Sequence, residues 1–168
     1  MKKYISLAFM AIALSFGFVS CSVDTNEEPG GTNVEKMAGR WNVTVDVVDE
    51  SGNVTDKDPY NIGTFTMMTY NTADNSINEM WLDDNSSFWN FKMKVDVKYD
   101  ERTFSCSERN YDAAGTGTAV VTNGKVLENA AKNLHGMPND SIVFDIKFSD
   151  GGETIYRISG RRYTGFKE

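Results

Sequence analysis

The feature that most constrains this chain is an alternation of apolar and polar residues with a period of two, running from Trp41 almost to the C-terminus. In an extended strand, successive side chains point to opposite faces, so such a run presents one apolar and one polar face. WNVTVDV places Trp41, Val43, Val45 and Val47 on one face and Asn42, Thr44 and Asp46 on the other. WNFKMKVDVK sets Trp89, Phe91, Met93, Val95 and Val97 against Asn90, Lys92, Lys94, Asp96 and Lys98. SIVFDIKF sets Ile142, Phe144, Ile146 and Phe148 against Val143, Asp145 and Lys147. Weaker strand signals lie in YNIGTFTMMTY, SINEMWLD, RTFSCSE, TGTAVVTN, KVLENA and TIYRISGRRYTG.

The connectors carry turn chemistry. ESGNVTD follows the first strand, DDNSS precedes Trp89, and SDGGE joins the last two strands. Asn123-Gly124 reads as a two-residue hairpin turn. ENAAKNLHGMPND is the one long excursion, expected to form a helical turn or lid before Pro138. Short connections force antiparallel neighbours. Eight or nine strands with one apolar face each must close into a barrel or pack as a sandwich. The residues alone leave both open.

The first residues have a different character. Lys2 and Lys3 precede an almost wholly apolar stretch from Tyr4 to Val19, the pattern of a secretory signal. Phe18-Val19-Ser20-Cys21 resembles a bacterial lipobox, with phenylalanine where leucine is usual. That resemblance implies cleavage before Cys21 and lipidation of Cys21. Several acyl chains anchor stably, since each buried CH₂ contributes about 0.8 kcal/mol. Ser22 to Asn33 has no periodicity and two adjacent glycines, which suits a flexible tether. Asp24, Glu27 and Glu28 loosely resemble the acidic export signal of surface lipoproteins in Bacteroidetes-type bacteria. The expected organisation is therefore a signal peptide at 1–20, a lipidated cysteine and tether at 21–36, and a β-domain at 37–168. The expected location is the cell envelope, on an outer-membrane lipoprotein facing the periplasm or the surface.

Charge narrows the partners. The net charge of −7 repels phosphate backbones, so nucleic-acid binding is not expected. With Cys21 lipidated, Cys106 has no intrachain partner and reads as a small buried hydrophobe.

At the start of the first strand stands Ala38-Gly39-Arg40-Trp41. It resembles the Gly-x-Trp signature that opens the first strand of lipocalins and other calycins. The resemblance implies that Gly39 permits a close approach, that Trp41 plugs the base of a barrel, and that an arginine late in the last strand packs on the tryptophan. If the first and last strands pair antiparallel, Arg161 or Arg162 lies near Trp41, whereas Arg157 does not. Arg162 shares the parity of Tyr156 and Ile158, the more apolar face, and is the arginine expected to close the barrel. Lipobox, acidic tether, AGRW and GRRY together resemble a family of small Bacteroidetes lipoproteins, lipocalin-like and labelled lipid-binding putative hydrolases. The fold implied is all-β, an antiparallel up-and-down lipocalin-like (calycin) barrel of eight or nine strands.

The hydrolase half of that label finds little support in the residues. His135 is the only histidine, so a Ser-His-Asp or Cys-His site must use it, and it sits in a loop-like NLHGMPND. Gly-x-Ser-x-Gly does not occur. One histidine excludes a zinc site of several histidines, one remaining cysteine excludes a cysteine-rich metal site, and no cofactor is expected. Asp83 and Asp84 are expected in a solvated turn. Glu79 stands between Ile77 and Trp81, and would be a buried acid if that face points inward; the other parity, Met80 and Leu82, is equally suited to a core. Glu79 and His135 are thus the two weak catalytic candidates.

An eight-stranded barrel is either filled by side chains or holds one small ligand. The ligand-contacting candidates are Val43, Val45, Trp81, Trp89, Phe91, Met93, Val95, Phe144 and Ile146, and the family resemblance implies a lipid or fatty acid. The alternative is a non-enzymatic surface module, binding a glycan or a protein partner through Trp81, Phe88 and Trp89 if these are exposed.

Overall fold

Nine strands follow one another with no helix between them in the computed structural model, which describes residues 31–165. They are β1 (Gly39–Val48), β2 (Val54–Lys57), β3 (Phe65–Asn71), β4 (Glu79–Asp83), β5 (Lys92–Lys98), β6 (Thr103–Asn110), β7 (Thr118–Lys132), β8 (Pro138–Phe148) and β9 (Ile155–Arg162). From β3 to β9 each strand pairs antiparallel with the next, and β1 pairs with both β3 and β9. That last pairing closes an eight-stranded barrel, so the choice between barrel and sandwich is settled by the seam between the two ends of the domain. The signal sequence, Cys21 and the acidic stretch lie outside the described residues.

The inner face follows from the alternation. Trp41, Val43 and Val45 of β1 are fully buried, as are Met67, Met80, Leu82, Val95, Phe144, Ile146 and Ile158 from the other strands. Burying one such side chain contributes roughly 1.5–3 kcal/mol. Packing begins ahead of β1, because Val34 and Met37 are fully buried in the turn that leads into it.

Several local expectations are corrected. Asn123-Gly124 does not turn the chain; β7 runs straight through it as one strand of 15 residues. The two residues form a bulge opposite Phe144, between the pairs Thr122↔Asp145 and Lys125↔Val143. Asn123 adopts a φ of 57°, and its amide donates to Asp145 Oδ2 at 2.8 Å. The turn-forming chemistry is real, but neighbours on both sides hold the strand extended past it. ENAAKNLHGMPND forms neither helix nor lid: β7 continues to Lys132, and Asn133 closes a tight turn by accepting from the backbone of His135 and Met137. ESGNVTD, expected as a plain connector, runs into β2, which takes its last three residues and Lys57 and pairs with the end of β1. The count of nine is thus reached with a different set of strands. Trp89 is not in β5 either, since Asn90 takes a φ of 58° and the strand begins at Lys92.

Candidate functional site

The two ends of the barrel are closed by different chemistry. At the end where β1 starts and β9 finishes, the Arg162 guanidinium carbon lies 4.4 Å from the centre of the Trp41 ring. The same guanidinium donates to the carbonyls of Ala38 and Lys36, and pairs with Asp140 at 3.2 Å. The Trp41 indole N–H donates to Thr69 Oγ1 at 2.8 Å, and Thr69 in turn donates to the Met37 carbonyl at 2.6 Å. A side chain at Gly39 would overlap the Arg162 guanidinium, so only glycine leaves it room to lie across the ring. This end is a fully hydrogen-bonded floor.

The opposite end is closed by aromatic rings. The loop between β4 and β5 folds over it and carries Phe88 and Trp89. Phe88 sits at the centre of a cluster, with Trp89, Tyr156, Tyr60, Phe65 and Phe148 at centroid distances of 5.2 to 6.1 Å. Trp89 stacks on Phe148 at 4.7 Å with the planes 6° apart. Rings at these distances contribute about 0.5–1.5 kcal/mol per pair beyond burial.

One residue shapes that loop. Asp84 is fully buried, which corrects the expectation that it faces solvent. Its carboxylate accepts backbone N–H groups from Ser86, Phe88, Trp89 and Asn90 at 2.8 to 3.1 Å. A short loop has no sheet partner for those donors, and one carboxylate satisfies four of them. The local signal in the sequence is Asp-Asn-Ser-Ser, a run suited to side-chain-to-backbone turns. Trp89 then reaches Asp150 through its indole N–H at 3.1 Å, and Tyr111 donates to the other oxygen of Asp150 at 2.9 Å. One carboxylate therefore ties three loops together at this rim. Tyr60 and Tyr156 share a hydrogen bond of 2.7 Å, and burial together with this bond pushes the Tyr156 hydroxyl up to about 12.

Between the two ends lies an interior of apolar side chains. Val43, Val45, Phe91, Met93, Val95, Phe144 and Ile146 are all at most 1% exposed and line it. Met80, Leu82, Phe148 and Ile158, which are not among the ligand-contacting candidates although their strand faces suit a core, join them. In β4 the alternation reads equally well in either register, and the structure takes Met80 and Leu82 inward. Trp81 and Glu79 therefore stand on the outer face, and Trp81 does not line the interior. Glu79 is not a buried acid: it pairs with Lys94 at 3.1 Å and with Arg109 at 3.7 Å. His135 is exposed in the β7–β8 turn, at the floor end. The two catalytic candidates are not brought together, and neither faces the interior. Cys106 is buried, and that burial raises its thiol pKa.

With this geometry in hand, the comparison with known families is direct. A family described as "Lipid-binding putative hydrolase" matches residues 26–167, which covers most of the chain. No curated protein matches.

Proposed function

We propose a lipid-holding role for this chain, which belongs to the family of lipid-binding putative hydrolases: the barrel takes up an apolar chain, such as that of a fatty acid, through its aromatic end. The observation that carries the reading is the contrast between the two ends. The floor is knitted by Arg162, Trp41 and Thr69 into backbone carbonyls, whereas the other end is stopped by side-chain rings on a loop. Rings can swing aside without breaking a strand pairing; the floor cannot open without unfolding the seam.

The interior supports an adaptable rather than a rigid ligand site. Met67, Met80 and Met93 line it, and unbranched thioethers repack around irregular apolar shapes at little cost. In the conformation described, these side chains are fully or almost fully buried in one apolar cluster. An acyl chain would take the place of Phe88 and Trp89 and push the methionines aside. The same reading includes the envelope anchor: Cys21, lipidated and the first residue of the cleaved chain, would hold the domain at a membrane by its tether.

The test is native mass spectrometry of the full chain, purified in mild detergent and offered palmitate or a phospholipid. Retention of one ligand per chain, lost in Met93→Trp, is expected. A bare mass with either ligand would overturn the reading. The anchor is tested separately, by the mass of the N-terminal peptide: an acylated Cys21 in the parent chain and none in Cys21→Ala.

A further inference from the structure

The outer face of the barrel carries a second feature that the lipid reading does not use. Trp81 lies half-exposed on β4 beside an open depression of about 540 Å³, bounded further by Lys94, Glu108, Arg109, Asn110 and Thr118. A second depression of about 270 Å³ shares Glu108 and Thr118 with the first and continues to Lys147 and Glu153. The two form one groove running across the strands from β4 to β8. Four strand spacings make that about 19 Å.

The groove has an aromatic platform at one end and polar side chains along the rest. Its cations are already paired, and one carboxylate, Glu108, is held by a hydroxyl alone. Lys94 pairs with Glu79, Arg109 with Glu79 and with Asp96 at 2.6 Å, and Lys147 with Glu153. Glu108 accepts from Thr118 Oγ1 at 2.7 Å. An anionic ligand would have to break these pairs, since every cation along the groove already has a carboxylate, and it would meet the Glu108 carboxylate besides. A neutral ligand rich in hydroxyl groups can instead donate to the carboxylates and accept from the ammonium and guanidinium groups while the pairs stay in place. A ligand of that kind that also offers an apolar C–H face to an indole is a sugar ring. The length of the groove suits a chain of such rings rather than one.

We propose that this outer groove is a binding site for a neutral oligosaccharide, stacked on Trp81 and extending over Thr118 towards Lys147. The lysines near the indole are compatible with this. Lys92 and Lys94 lie 5.4 and 5.7 Å from the centre of the Trp81 ring; Lys92, the more exposed and only loosely paired with Asp83 at 3.9 Å, can yield its side of the ring to a sugar while Lys94 stays with Glu79. The site is on the opposite side of the strands from the barrel interior, so it works whether or not a lipid is held inside.

The experiment is an array of immobilised neutral and anionic oligosaccharides, from two to eight units long, probed with the full chain in mild detergent. Retention on at least one neutral glycan of four or more units is expected, with at least tenfold weaker binding by Trp81→Ala. Trp81→Phe, which keeps an aromatic face, should retain part of the affinity, and His135→Ala all of it. Far-ultraviolet circular dichroism separates loss of binding from loss of fold, since Trp81 is not a core residue. No retained neutral glycan, retention of anionic glycans only, or full binding by Trp81→Ala would each overturn the proposal. None of these outcomes bears on palmitate uptake, which is measured independently.

Discussion

Arg162 spans the last strand and the turn that precedes the first: its guanidinium covers the Trp41 ring at 4.4 Å and donates to the carbonyls of Ala38 and Lys36. A cation over an indole contributes about 0.5–2 kcal/mol, and hydrogen bonds from a charged donor about 1.5–3 kcal/mol each. Because these contacts are partly exposed, Arg162→Ala should cost about 2–4 kcal/mol, read as a lower urea midpoint. Arg162→Lys should recover only a small part, because an ammonium cannot present the planar fork that reaches two carbonyls while stacking. Full stability in the lysine variant would show that charge alone matters.

The seam between β1 and β9 is a second point of failure. At Gly160, a side chain would collide with the Asn42 carbonyl and the Val43 backbone across the seam. Backbone cannot step aside as a flexible side chain can. Gly160→Ala should therefore destabilise by about 3 kcal/mol or more, in the range for overpacked sites. An alanine variant with an unchanged urea midpoint would mean that the strands sit farther apart.

Acid should weaken the outer wall near Asp145. Its carboxylate accepts from Arg157 at 2.7 and 3.0 Å and from Asn123, and Arg157 reaches on to the Gly52 carbonyl. Burial by itself pushes Asp145 upward, but the Arg157 and Asn123 hydrogen bonds and the Arg157 charge together outweigh it and hold the group below its ordinary 3.8. The folded protein therefore keeps this carboxylate ionised where the unfolded chain would protonate it. That stability is fully present above about pH 4 and is lost as pH falls through the lower folded value. Urea midpoints from pH 6 down to pH 2.5 should decline, and the decline should be shallower in Asp145→Asn. That variant starts about 2–4 kcal/mol less stable, because Arg157 loses its partner. Parallel profiles for the two proteins would remove Asp145 as the acid-sensitive group.

At the aromatic end, the proposed lipid uptake makes Trp89 a gate rather than a holding residue. Trp89→Ala removes the stack on Phe148 and the bond to Asp150 but leaves the interior intact. Stopped-flow uptake of a fluorescent fatty acid should become several-fold faster. Met93→Trp, which fills the interior, should abolish uptake. Equal rates for Trp89→Ala and the parent chain would mean that the ligand passes elsewhere. Asp84→Asn should also speed uptake, because the four loop N–H groups are shared between two carboxylate oxygens, and an amide keeps one uncharged acceptor and turns an NH₂ donor towards the rest.

How much of this could be read from the residues differs from one element to the next. In β1, β5 and β8 the apolar face is unambiguous, and Val43, Val45, Met93, Val95, Phe144 and Ile146 could be placed on it from spacing alone. Arg162 could be singled out from strand parity once β1 and β9 were assumed to pair. β4 was different: Ile77 and Trp81 compete with Met80 and Leu82, both faces are apolar enough, and a period of two has no preference between them. Asp84 was misplaced because composition marks a turn without saying whether its carboxylate points out to water or in to the loop's own amides.

By itself, then, the sequence determined the strands that alternate, the faces their side chains share and the antiparallel order that short connections impose. These are properties of the backbone within a few residues. Only the tertiary structure decided that β1 meets β9, that Asn123-Gly124 bulges instead of turning, and that Trp81 faces out while Phe88 and Trp89 cover one end. Each of these depends on what a neighbouring strand offers: Asp145 and Val143 pair with β7 on either side of its turn signal and hold it extended, and Val95 and Met93 of β5 lie beside Met80 and Leu82, on the side that takes β4 inward. Such neighbours lie many residues away, and local periodicity carries no record of them.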